Sequence, residues 1–354
     1  MKSVTEGDLK NLYVPGRGSH KGQNGRLLII GGSHLFHAAS LWSLTVASRI
    51  VDLVHYCSVP ENNAIVQKTK EEFRNGIVVS RDDVESYIEE DDCILIGPGM
   101  NRSESSEILN PKFQILNKFK IQNLNELNEI QDEGEQTGAL TNYLLAKYPQ
   151  KQWVIDAGAL QMMDLSVIPK NAILTPHHGE FTSLRARAEV ANQNFRVLRS
   201  SLREVPSAQV SNFDSLPALK DAVAFFAKEY HCIVILKGEK DIAANGGECD
   251  PSASFPRKDS GQAVQAKVCV PGECRVIEGG NAGMTKGGTG DVLAGLVAAL
   301  ATKNDPFLST IAGSFINKKA GDSLYETVGP YFNATDLANQ IPVTMKELLK
   351  ISVK

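Results

Sequence analysis

No stretch of this sequence approaches the ~18 uninterrupted apolar residues of a transmembrane helix. The longest apolar run on a helical pattern, Val292–Thr302, is shorter and holds Gly295. The opening MKSVTEGDLKNLYVPGRG has neither an apolar core nor a small-residue cleavage site, so a secretory signal is not expected, and the expectation is a cytoplasmic protein with no membrane partner. Positive charge is not in excess: 37 Lys and Arg face 41 Asp and Glu, for a net charge of -4. That balance excludes a broad nucleic-acid surface. The cysteines also lack a pattern. Cys57, Cys93 and Cys232 lie in or beside apolar runs, and Cys249, Cys269 and Cys274 match no zinc spacing and have no interleaved His, so all six read as thiols. Two nucleotide signatures are missing as well. Gly283 and Gly288 have the glycine gap of a P-loop, but Thr289-Gly290 follows where Lys-[Ser/Thr] belongs. Gly31-Gly32-Ser33 does not make G-x-G-x-x-G.

What is present is ordinary in amount and informative in placement. Hydrophobic residues are 42% and charged residues 22% of 354, which fits a soluble globular chain. The 29 glycines are close to average usage, so their positions matter more than their number. Short apolar runs end in glycine or turn residues: Arg26–Ile30, Leu53–Val59, Cys93–Ile96, Trp153–Ile155, Ala172–Leu174 and Ile233–Leu236. Continuous runs of this kind predict parallel strands buried on both faces. Helical patterns lie between or after them at Ala38–Val51, Thr137–Tyr148, Leu216–Tyr230, Asp291–Thr302 and Leu308–Val328. The alternation predicts a doubly wound α/β sheet, mostly parallel, flanked by helices on both faces, with ligands at the carboxyl ends of its strands. One domain over 1–354 is expected, with insertions near 103–136, 185–215 and 245–265, the last a loop or hairpin tip.

The segment that carries chemistry is NAGMTKGGTGDVLA, Asn281–Ala294. Gly287, Gly288 and Gly290 precede an apolar helix, where small residues and unpaired N–H groups make an anion site. Asp291 at the helix start reads two ways. It is an N-cap, or it is the base that takes a proton from a hydroxyl attacking a phosphoryl group held there.

GGTGD at Gly287–Asp291, after Asn281-Ala282-Gly283-Met284, resembles the anion hole of the ribokinase-like superfamily. His20-Lys21-Gly22 with Gly25 and RLLIIGGS, ILIGPGM at Ile94–Met100, VIDAGAL at Val154–Leu160, LTPHHGEF at Leu174–Phe181 and LKG at Leu236–Gly238 narrow it. In their order they resemble the ADP/ATP-dependent NAD(P)H-hydrate dehydratases, over most of the chain outside the three insertions. The resemblance implies a ribokinase-like fold and repair of the hydrates NADHX and NADPHX, with ADP or ATP phosphorylating the hydroxyl and phosphate then leaving. It implies Asp291 as base, Gly287, Gly288, Thr289 and Gly290 as anion hole, and Mg2+ with the nucleotide phosphates. Ala39, Gly99, His177 and Asp291 match hydrate-contacting positions. Lys237, Gly238, Glu239, Lys240 and Asp241, with Gly290, match the nucleotide's surroundings.

Plainer readings stand beside these. Ala39 also reads as helix packing, His177 as a satisfied polar residue, and Lys237 as a solvated charge. Glu180 reads as a local cap or acceptor, or as an organiser of magnesium through water. The chain departs from the family's pattern at His37, where a smaller residue is usual, at Asn101, where a glycine is usual, and at Gly158. The family further implies a homo-oligomer, commonly a tetramer. An epimerase domain is expected to be absent in front, so a separate epimerase would cooperate. A ribokinase-like kinase of a pyrimidine or thiazole alcohol and a nucleotide-binding sensor without turnover are the competing readings.

Overall fold

The computed structural model describes residues 2–69, 75–103, 120–191, 216–250, 254–256, 263–265, 268–270 and 272–351. The strands are β1 (Arg26–Ile30), β2 (Leu53–Cys57), β3 (Ile77–Val79), β4 (Cys93–Ile96), β5 (Gln152–Ile155), β6 (Ile173–Leu174), β7 (Ile233–Leu236), β8 (Asp241–Asn245), β9 (Glu248–Asp250), β10 (Ser254–Pro256), β11 (Ala263–Gln265), β12 (Val268–Val270) and β13 (Cys274–Ile277). The helices are α1 (Ala38–Ala47), α2 (Pro60–Thr69), α3 (Val84–Glu90), α4 (Glu133–Lys147), α5 (Ala157–Met162), α6 (His178–Ala191), α7 (Leu216–Glu229), α8 (Thr289–Ala301), α9 (Pro306–Val328) and α10 (Ala334–Leu348).

One nine-stranded sheet runs β13-β8-β7-β6-β5-β4-β1-β2-β3. Strands β1 to β7 pair in parallel, and β8 and β13 close that side as antiparallel additions. The N-terminal segment covers the β13 edge, with Val4 N–H donating to Val276 O at 2.9 Å. This is the mostly parallel, doubly wound sheet expected. Strand β1 explains why the apolar runs were continuous. Leu27 and Ile29 enter the core beneath α1, α8, α9 and α10, while Leu28 and Ile30 enter the core beneath α3 to α7. Helix α8 is buried along nearly its whole length, and Gly295 lets α1 approach: a Cβ there would stand 2.6 Å from Ser43 Cα.

Several boundaries differ from expectation. The first helix stops at Ala47, not Val51, with Ser48 Oγ donating back to Thr45 O at 3.1 Å. The second strand stops at Cys57 because Pro60 already opens α2. Helix α4 begins at Glu133, capped by Asp132 Oδ1 accepting from Glu135 N–H at 2.8 Å, so the expected 103–136 segment ends inside a helix. Residues 104–119 of that segment lie outside the described residues. Helix α6 runs to Ala191, through the start of the 185–215 segment, whose remainder lies outside the described residues. In the third segment β10 pairs antiparallel with β11, and β9 with β12; the residues between these strands lie outside the described residues. No helix among the described residues is long and apolar enough to cross a membrane.

Candidate functional site

The sheet's strand order reverses between β1 and β4, and in open α/β sheets ligands bind at such a point. Gly31-Gly32 leaves β1 there and Gly97-Pro98-Gly99 leaves β4, with Gly32 N–H donating to Pro98 O at 2.7 Å. Gly99 holds a φ of +71°, and a Cβ on it would meet Phe36 O at 2.8 Å and Ala39 Cβ at 3.0 Å. The structure therefore brings Ala39 and Gly99 together. The two bulky departures beside them are tied back. His37 Nδ1 lies 3.0 Å from Asn62 Oδ1, while Asn101 Nδ2 donates to Glu133 Oε2 at 2.6 Å. Glu133 also accepts from His34 N–H at 3.1 Å, which ties the loops after β1 and β4 to the start of α4.

The next strand ends bring the charged groups. Gly97 packs against the backbone after β5, where a Cβ would stand only 1.8 Å from Asp156 O. Asp156 itself is buried. Its Oδ1 accepts from Thr175 Oγ1, after β6, at 2.6 Å and from Lys237 Nζ, after β7, at 2.9 Å. Lys237 reaches the start of α8, for a Cβ added to Gly290 would stand 3.4 Å from its Nζ.

At that helix start Gly288, not Asp291, occupies the N-cap position, with a φ of +95°. Asp291 is the third residue of α8, so it is not the N-cap. A Cβ at Gly288 would stand 2.4 Å from the Trp42 ring, which makes glycine obligatory for space as well as for conformation. Thr289 is buried and its Oγ1 donates to the carbonyls of Met284 and Lys286 at 2.7 and 2.9 Å, fixing the loop below. Ser43 Oγ donates to Asp291 O at 2.8 Å and anchors the turn to α1.

Burial raises the Asp291 carboxyl from an ordinary 3.8 to about 7. The Asp156 and Glu180 carboxylates add to the rise, and the Lys237 ammonium opposes it. Burial alone would weaken the Lys237 ammonium, but Asp156, Glu180 and Asp291 outweigh it and hold its pKa above the ordinary value. A carboxylate half-occupied by a proton near neutrality, beside backbone N–H groups and a fixed ammonium, can take a proton where negative charge is being transferred.

His177 and Glu180 are engaged with one another's backbone. His177 N–H donates to Glu180 Oε2 at 2.8 Å, Gln161 Nε2 to Glu180 Oε1 at 2.9 Å, and Gly179 N–H to His177 Nδ1 at 3.0 Å. Glu180 is thus a cap and acceptor at the start of α6. His177 keeps a side chain 60% exposed. Among the described residues no group of three or more His, Cys, Asp or Glu is placed to hold a metal ion.

A cavity of about 660 Å3 has Lys237 and Gly290 in its wall. Gly238, Glu239 and Asp241 line it, whereas Lys240 turns away and pairs with Glu278 at 2.6 Å. Asp241 is buried and structural: it accepts from Gly238 N–H at 2.9 Å and Ser314 Oγ at 2.7 Å. Sequence reasoning missed the group that holds this wall. Lys318 of α9 is buried, and its Nζ donates to the carbonyls of Gly238, Glu239 and Gly279 at 3.0 to 3.1 Å and lies 3.2 Å from Asp241 Oδ1. Neighbouring Asn317 lines the cavity with a buried Oδ1 that has no hydrogen-bond partner among the described residues. Asp156, which joins Thr175 and Lys237, was not singled out either, although its place directly after an apolar run was a usable signal.

A family model described as NAD(P)H-hydrate dehydratase matches residues 27–253 and 257–343. A bifunctional NAD(P)H-hydrate repair enzyme of Methanocaldococcus jannaschii is 31% identical over 343 residues, 96% of this chain and 52% of that protein. This chain thus spans about half the length of that relative. An ADP-dependent (S)-NAD(P)H-hydrate dehydratase of Nitrosopumilus maritimus is 29% identical over 99% of both chains. Among solved structures, an ADP/ATP-dependent NAD(P)H-hydrate dehydratase of Bacillus subtilis, co-crystallised with ATP and Mg2+, superposes with a TM-score of 0.64 at 18% identity over 98% of both chains. A ribokinase-like protein of Enterococcus faecalis superposes at 0.65 and 19% over 99% and 97%. The fold is therefore ribokinase-like.

Proposed function

The chain belongs to the NAD(P)H-hydrate dehydratase family, and from that premise we propose that it restores NADH and NADPH from their hydrates at the expense of ADP or ATP. The observation that carries the reading is the placement of the Asp291 carboxyl in the first turn of α8, directly after the Gly288–Gly290 turn that Lys237 Nζ approaches; burial raises that carboxyl's pKa. The hydrate's hydroxyl oxygen attacks the nucleotide's terminal phosphorus, and the phosphorus–oxygen bond to the departing nucleotide breaks. Asp291 takes the hydroxyl proton. The N–H groups at the start of α8 and the Lys237 ammonium hold the transferring phosphoryl oxygens. The carbon–oxygen bond to phosphate then breaks, a proton leaves the adjacent ring carbon, and the dihydropyridine double bond is restored. The sum is hydrate plus nucleotide giving reduced cofactor, the nucleotide shortened by one phosphate, inorganic phosphate and a proton.

The hydrate would lie at the β1–β4 reversal, against Ala39 and Gly99, with His177 on its rim. The nucleotide would fill the cavity behind Lys237, walled by Gly238, Glu239 and the Lys318 clamp. Magnesium would enter with the nucleotide and supply neutralising charge to its phosphates. The residues described here do not form a cage for it, since both oxygens of Glu180 already accept hydrogen bonds. The test is incubation of the purified chain with NADHX or NADPHX and each nucleotide. Recovery of the reduced nicotinamide absorbance supports the reading, and no recovery with either nucleotide from folded protein sinks it.

A further inference from the structure

Asp156 sits at the N-cap position of α5, the ordinary place for an aspartate after a strand, yet its side chain makes no cap hydrogen bond. Its Oδ1 instead accepts from Thr175 Oγ1 and Lys237 Nζ. The three residues leave β5, β6 and β7, which are consecutive in the sheet. They form a polar row across three strand ends, and the row ends beside Gly290.

The bland account is a buried ion pair that steadies the fold. Two features argue against it as sufficient. Desolvation consumes most of what such a pair gains, so stability alone does not explain its presence. The Lys237 side chain is also 18% exposed while that of Asp156 is 3% exposed. The anchor is therefore in the interior and the ammonium is at the cavity wall. An ammonium has three N–H donors, and among the described residues one of them meets a side-chain acceptor, Asp156 Oδ1.

We propose that Asp156 is a positioning residue of the phosphoryl-transfer centre, its carboxylate, oriented by the Thr175 hydroxyl, holding the Lys237 ammonium beside Gly290 where the transferring phosphoryl group passes. The inference rests on the proposed hydrate-repair reaction and adds a part to it. Asp156 touches no reactant. It fixes the group that does, because a lysine on a flexible four-carbon stem would otherwise sample many positions. The same carboxylate faces Asp291 together with Glu180 from α6 and Lys237 from the end of β7, so it also bears on the proton affinity of the base.

The experiment compares wild type, Asp156→Asn, Thr175→Val, Lys237→Met and the Asp156→Asn/Lys237→Met double variant. Each is assayed for hydrate repair over pH 5.5–9, with thermal unfolding as the check on folding. Asp156→Asn is expected to lower kcat about 100-fold with the hydrate KM changed less than about threefold. The double variant should be no slower than the worse single one, because the two residues act as a unit. The acidic limb of the Asp156→Asn profile should move to lower pH, since a carboxylate that raises Asp291 is gone. Thr175→Val, nearly isosteric and leaving both charges in place, should lower kcat about tenfold. Should Asp156→Asn fail to fold, Thr175→Val decides alone. A repairing wild type whose folded Asp156→Asn or Thr175→Val variant keeps kcat within about twofold overturns the inference and leaves the function standing. A wild type that binds nucleotide but repairs no hydrate overturns the function, and this inference with it.

Discussion

Replacing Asp291 by Asn should stabilise the protein, and by an amount that depends on pH. The folded state holds this carboxyl near 7 against an ordinary 3.8, chiefly through burial and then through the neighbouring Asp156 carboxylate. Ionising it in the folded state therefore costs about 4 kcal/mol more than in the unfolded chain, at about 1.4 kcal/mol per tenfold change in proton affinity. The sign follows from proton binding. Below about pH 4 the group is protonated in both states and contributes nothing. Between about 4 and 7 only the unfolded chain releases the proton, so stability falls as pH rises. Above about 7 both states are ionised and the full penalty is present. Asn carries no such penalty at any pH. Urea unfolding of wild type and Asp291→Asn at pH 5 and pH 8.5 reads the difference directly. The advantage of the variant should be about 3 kcal/mol larger at pH 8.5 than at pH 5, while repair activity is lost. An advantage that is equal at the two pH values would refute the claim that Asp291 is a destabilised carboxylate kept for its chemistry.

The kcat/KM of wild type for the hydrate should rise with pH and level off above about 7, as the ionised base accumulates in the free enzyme; a profile flat from pH 5.5 to 8 would remove Asp291 from that role. Gly288→Ala should cost about 3 kcal/mol in urea unfolding, because the residue holds a φ of +95° and its new Cβ would lie 2.4 Å from the Trp42 ring. Lys318→Met leaves three carbonyls and the Asp241 carboxylate without their shared donor. It should cost about 3–5 kcal/mol and raise the nucleotide KM at least about tenfold with the hydrate KM within about twofold, as steady-state kinetics would show.

The sheet was largely legible because its central strands are buried on both faces. Such strands must be apolar at every position, as RLLII at Arg26–Ile30 and CILI at Cys93–Ile96 are. The outer elements were less so. Strand β3 is three residues long, and β8 and β13 are antiparallel additions at the sheet's other side, with Asp241, Asn245 and Arg275 interrupting their apolar runs. Helix α10 carries Pro342 within it, which a pattern reading takes as a stop. In the site, the glycines and Asp291 were readable together because the anion-binding turn is contiguous in sequence. Lys318 was not. Its partners lie at Gly238, Glu239, Asp241 and Gly279, and no local pattern announces a lysine that an apolar helix turns inward onto carbonyls from distant segments. Asp156 was visible at a strand end but indistinguishable from a helix cap until its neighbours were in place. Lys240, read from the resemblance as a nucleotide contact, pairs with Glu278.

The central claim is that one catalytic centre both transfers a phosphoryl group to the hydrate and releases it. Its most direct test is the stoichiometry of a single reaction, with reduced cofactor, shortened nucleotide and inorganic phosphate measured together. The three should appear in equal amounts, with no phosphorylated hydrate accumulating. A stable phosphorylated alcohol with no reduced cofactor formed, or cofactor formed without nucleotide consumed, would contradict it.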